Sequence, residues 1–76
     1  MDIEALQRMI DSGRDSAMLR LTLGEAHARQ GDAAAAETHL RQALVLDPGY
    51  SAAWRALGRL QLKAGEEAAA AETFRQ

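Results

Sequence analysis

A shift of 34 residues lays the second half of this chain on the first. Leu23-Gly24 returns as Leu57-Gly58, Gly31-Asp32 as Gly65-Glu66, and Ala34-Ala35-Ala36 as Ala68-Ala69-Ala70. Leu40 maps onto Phe74, and Arg41-Gln42 onto Arg75-Gln76. A fixed period of that size marks stacked supersecondary units, each burying its apolar side against the next, with no single closed core. A chain built this way works through the surface that the stack presents.

Composition limits how firmly such a stack holds. Hydrophobic residues make up 47% of the 76 positions, yet seventeen of them are alanine, with one Phe, one Trp and one Tyr. Each alanine contact removes little area from water, at roughly 25 cal/mol per Å², so a modest stability is expected. The formal net charge is −2, with acids and bases interspersed. Nucleic-acid binding needs a concentrated basic face to displace counterions, so no nucleic-acid partner is expected. Cysteine is absent, which excludes disulfides and thiolate metal sites. No apolar run approaches 18 residues and no leader pattern follows Met1, so neither a membrane partner nor export is expected, and a cytoplasmic location follows by default.

Glycine and proline divide the chain. Gly13, Gly31 and Gly65 each follow a helical pattern and suit the left-handed conformation that ends a helix. Asp15-Ser16, Asp32, Ser51 and Glu66 stand where new helices need caps. Pro48 biases Asp47 away from helical geometry. The resulting helices span about 2–12, 16–30, 33–46, 51–64 and 67–76, and their apolar residues recur at helical spacing, as in Ile3, Leu6, Met9 and Ile10. No window alternates with period two, so the expected fold class is all-α with about five helices. Gly24 and Gly58 lie inside helices, where glycine costs about 1 kcal/mol relative to alanine. Their recurrence predicts close helix approach, with Ala36 and Ala70 as the facing neighbours.

These residues resemble the tetratricopeptide repeat, whose pattern runs W-x₂-L-G-x₂-Y…A-x₃-F…P. Residues 17–50 match through Leu23-Gly24, Ala36, Leu40, Ala43 and Pro48; residues 51–76 match through Trp54, Leu57-Gly58, Ala70 and Phe74. Arg20 stands in the aromatic slot, and His27 and Gln61 replace the tyrosine, which implies loosely packed or half-exposed sites there. The resemblance implies a right-handed α-solenoid of antiparallel helix pairs. Residues 1–16 would be the second helix of a preceding degenerate unit, 17–50 a first unit, and 51–76 a second unit cut short at Gln76. An exposed last helix would then fray or drive homo-oligomerisation through the C-terminal edge.

Catalytic and metal motifs are missing. His27 and His39 lie on consecutive helices without His-x₃-His or Glu-x₂-His spacing. The first is expected to fill space and the second to face solvent, with no need for the two to meet. No serine sits in a strand-to-helix elbow, and the glycines are spaced as helix terminators with no phosphate-cradling loop among them. No enzyme activity, cofactor or metal is expected.

The resemblance implies that the first helix of each unit lines a concave, peptide-holding surface. The lining residues would be Met18, Leu21, Glu25, Ala28 and Arg29, then Ala52, Arg55, Arg59, Leu62 and Lys63. Independently of the family, Arg55, Arg59 and Lys63 are spaced by four and form one basic row on a helix. That row, with Arg29, would attract an acidic or carboxylate-bearing segment of a protein partner, unless Glu25 pairs with Arg59 and the row is simply solvated. The Lys and Asn carboxylate clamp of chaperone-binding members has no counterpart at Leu21, Glu25, Ala52 and Ala56. A peptide-binding scaffold is the first expectation; assembly through the open edge is the second.

Overall fold

A computed structural model describes residues 2–76; Met1, which opens the expected capping segment, lies outside them. Five α-helices follow in order: α1 (Ile3–Asp11), α2 (Ala17–Arg29), α3 (Ala33–Leu46), α4 (Ser51–Lys63) and α5 (Glu67–Phe74). No strand occurs among the described residues.

The chain stops three of these helices with one device. Gly13, Gly31 and Gly65 take φ of 91°, 80° and 80°, a region open to glycine at no steric cost. Just beyond each glycine the chain folds back: Arg14 N donates to Met9 O at 3.0 Å, Asp32 N to His27 O at 3.0 Å, and Glu66 N to Gln61 O at 2.8 Å. These bonds satisfy carbonyls that a helix end leaves without partners. The remaining break is an Asx turn, with Gly49 N donating to Asp47 Oδ1 at 3.1 Å. Trp54 Nε1 ties this turn to α4 by donating to Pro48 O at 2.7 Å.

Helix starts differ from expectation at two of the four expected caps. Ser16 accepts from Leu19 N at 3.1 Å, and Asp32 accepts from Ala35 N at 3.1 Å. Ser51, by contrast, is already the first residue of α4, and Tyr50 occupies the cap position with no side-chain bond. The tight turn after Asp47 delivers the chain into helical geometry one residue early. Glu66 also stands at its helix start without a side-chain cap bond.

The short turns make successive helices antiparallel. α2 packs on α3 and α4 on α5; α4 also rests on α3 and touches α2, and α1 covers one side of α2. Leu21, Leu40, Ala43, Ala53, Ala56 and Leu57 form one buried cluster across α2, α3 and α4. The Cα envelope is a slab measuring 36 × 26 × 15 Å.

Both interior glycines mark close approach, but the neighbours that press on them are the large residues rather than the expected alanines. A Cβ built on Gly24 would lie 2.9 Å from Leu40 Cγ and Cδ2, with Ala36 contributing only its carbonyl oxygen at 3.2 Å. On Gly58 it would lie 2.5 Å from the Phe74 ring, which supplies all three nearest atoms. At Gly24 the small Ala36 brings its backbone into contact, and at both sites the larger residue, Leu40 or Phe74, fills the notch left by the glycine.

Gln61 is the other departure. The tyrosine slot it occupies is closed rather than half exposed: Gln61 is 4% exposed, and Thr73 Oγ1 donates to its Oε1 at 2.6 Å. A buried amide and hydroxyl satisfy one another here, as groups cut off from water must.

Candidate functional site

The α2–α4 contact is narrow, and a cleft of about 240 Å³ opens beside it. Glu25, Ala28 and Arg29 form one wall, Ala56, Arg59, Leu60 and Lys63 the other, and Leu40 lies at the floor. The hollow continues past Ala28, Leu60 and Lys63 towards Gly31, Ala33 and Ala64, adding about 200 Å³. Four-residue spacing produces both walls, because Glu25 and Arg29 on α2, and Arg59 and Lys63 on α4, are one helical turn apart.

Five of the ten residues expected to line the groove therefore meet in this cleft: Glu25, Ala28, Arg29, Arg59 and Lys63, while Ala52 is partly buried against the core cluster. Arg55 and Leu62 are exposed on α4, with Arg55 continuing the basic row one turn beyond the cleft. Leu21 is 8% exposed and belongs to the buried cluster with Ala53, Ala56 and Leu57. Its side of α2 faces α4, so it holds the cleft together from beneath and offers no open surface. Met18 is well exposed but lines a separate apolar cleft between α1 and α2, with Leu6, Met9 and Leu19. Leu40, Ala56 and Leu60 were not anticipated as lining. Leu60 follows Ala56 by four residues, and that apolar pair beside the basic row is the one sequence signal that could have shown them.

The charge on the cleft is free. Ion pairs among the described residues join Arg20 to Asp15, Arg41 to Glu37 and Arg75 to Glu72, and the His27 ring lies 3.9 Å from Asp32. None involves Glu25, Arg29, Arg55, Arg59 or Lys63, so the expected pairing of Glu25 with Arg59 does not form. Three cations and one carboxylate line the cleft, Glu25 and Arg29 on one wall and Arg59 and Lys63 on the other, on a chain whose formal net charge is −2.

Comparison with known proteins agrees with the repeat seen in the helices. The Tetratricopeptide repeat family profile matches residues 17–60. Over 76 residues the chain is 41% identical to the TPR repeat-containing protein PA0015 of Pseudomonas aeruginosa, covering 100% of this chain and 72% of that relative. The chain belongs to the tetratricopeptide repeat family. Repeats of this family generally mediate contacts between proteins.

Where this tetratricopeptide repeat departs from its family's aromatic pattern, a polar network takes over. Arg20 grips Asp15 with two bonds, Nε to Oδ1 at 2.8 Å and Nη2 to Oδ2 at 2.9 Å. Its Nη1 lies 3.0 Å from His39 Nδ1. Arginine only donates, so His39 accepts there and carries its proton on Nε2. The His39 ring stacks on His27 with centroids 5.3 Å apart and planes 7° from parallel. His27 is part-buried as expected, whereas the expectation for His39 is corrected: it is partly buried between α2 and α3, and the two rings meet. The antiparallel crossing of these helices brings position 27 over position 39.

Burial first, then the Arg20 guanidinium and His27, hold His39 below its ordinary value of 6.5, against an opposing pull from Asp15. The hydrogen bond from Arg20 holds the Asp15 carboxyl below its ordinary 3.8. Unfolded chains take up a proton at His39 once pH drops below 6.5, while the folded chain resists until its lower value is reached. Stability therefore falls with pH through that window. Asp15 adds a second loss in the same direction below 3.8. Thermal melts from about pH 7.5 to about pH 5 should show the melting temperature decreasing, and His39→Gln, which still accepts from Arg20 but cannot titrate, should flatten the decrease. An equally steep fall in that variant would remove His39 from the account.

Proposed function

We propose that this tetratricopeptide repeat is a cytoplasmic protein–protein interaction module that seats a carboxylate-bearing peptide segment in the α2–α4 cleft. The carrying observation is the set of unpaired cations, Arg29, Arg59 and Lys63, beside the apolar Ala28, Ala56 and Leu60 on the same walls. Arginine presents a planar fork that grips a carboxylate with two hydrogen bonds. The small side chains of Ala28 and Ala56 on the walls leave room for a peptide backbone, and a preformed cleft lowers ordering costs on binding. No covalent chemistry is assigned to the site.

The test is fluorescence anisotropy with a labelled acidic peptide. Arg59→Glu should weaken binding about tenfold, equivalent to about 1.4 kcal/mol, and Arg55→Glu somewhat less because Arg55 stands outside the cleft. Added salt should weaken the wild type more than either variant. Unchanged affinity in both variants would leave the row as an ordinary solvated face.

A second reading, assembly through the α5 edge, draws on Phe74, which is 46% exposed. Sedimentation separates the two readings, since assembly predicts that Phe74→Ser lowers the mass in solution and that Arg59→Glu does not.

A further inference from the structure

We infer that the bound segment lies extended along α4 with an acidic side chain at every second residue, meeting Arg55, Arg59 and Lys63 in turn. This rests on the groove reading above and adds the spacing and conformation of the ligand.

The spacing comes from the two backbones. Arg55, Arg59 and Lys63 follow one another at four-residue steps on α4, and a step of four along a helix advances about 6.0 Å. Same-side residues of an extended chain recur about every 6.6 Å. Over two steps the mismatch is about 1.2 Å, well within the reach of long, flexible Arg and Lys stems.

The opposite wall sets the alternation. An extended segment turns its intervening side chains away from α4 and towards α2. There it meets Glu25, which holds the repeat position of Arg59 with the charge reversed, and one turn further on Arg29, at the repeat position of Lys63. At the level of Glu25 an unbroken acidic run would press a carboxylate against a like charge, a repulsion that a neutral or apolar intervening residue avoids. The cleft and its continuation, about 240 Å³ and about 200 Å³, suit single side chains and a strand. A helix is about 10–12 Å across with its side chains and would ride above the floor.

Three capped peptides of equal charge decide the matter. One carries three glutamates alternating with valines, the second has the same composition with its glutamates consecutive, and the third is an alanine-rich helix with glutamates four apart. The alternating peptide should bind about tenfold more tightly than the consecutive one. Arg55→Gln should lower it towards the consecutive peptide, and Glu25→Gln should improve the consecutive peptide alone. Equal affinity for all three overturns the spacing but leaves the acidic-peptide groove standing; tightest binding by the helical or consecutive peptide also overturns it. Failure of every acidic peptide removes both readings. A short oligouridylate that binds more tightly than any peptide overturns the inference in favour of a phosphate backbone.

Discussion

Leu40→Ala is expected to lower the stability of the folded chain by about 2–5 kcal/mol. Leu40 is 1% exposed, seats its branch over Gly24, and joins the cluster spanning α2, α3 and α4. Truncating it removes contacts to both neighbouring helices and leaves a void at the floor of the cleft. Domains of this size hold on the order of 0.05–0.15 kcal/mol per residue, so the loss is a large fraction of the total. Alanine-rich neighbours have little side chain with which to fill the gap. Urea denaturation followed by circular dichroism checks it, with the half-exposed Leu46→Ala as control, expected within about 0.5 kcal/mol of wild type. A Leu40→Ala midpoint matching the control would contradict this picture of the core.

Gly24→Val is expected to destabilise strongly, and the equivalent change Gly58→Val much less. In a helix a glycine replacement by itself gains a few tenths of a kcal/mol, so any net loss measures steric conflict. At Gly24 the new Cβ meets the root of a buried leucine branch and a backbone oxygen. Neither can retreat without moving α3, and overpacking of that kind costs about 1–3 kcal/mol. At Gly58 the nominal contact is shorter, yet the atoms in the way are the far edge of the Phe74 ring. That ring is 46% exposed and can swing towards solvent. Paired melts of the two variants give the difference; a larger loss at Gly58 would mean that Phe74 is held far more tightly than its exposure implies.

The helices were legible because their boundaries are local. Gly31, Gly65 and Pro48 act within one or two residues, and the Leu-Gly pairs carry the period. Ser51 was misjudged because cap geometry depends on how the Asp47–Gly49 turn delivers the chain, which residue type alone does not specify. The basic row was legible for the same local reason, one helix being enough to define it. Leu21 was not: a helical wheel places it beside Glu25, and only the approach of α4 decides which of the two is covered. Met18 faced the same ambiguity with α1. The Arg20–His39–His27 arrangement required the crossing of α2 over α3, so two histidines 12 positions apart in sequence gave no hint of stacking.

The 15 Å dimension of the slab has a consequence for how the molecule yields. Every helix keeps a flank in water, and none is ringed on all sides by others. Opening can therefore begin at α1 or α5, because α1 contacts only α2 and α5 contacts only α4. α1 or α5 can detach while α2, α3 and α4 still hold the basic cleft in shape. Thinness, for this chain, means that damage at a margin stays at that margin.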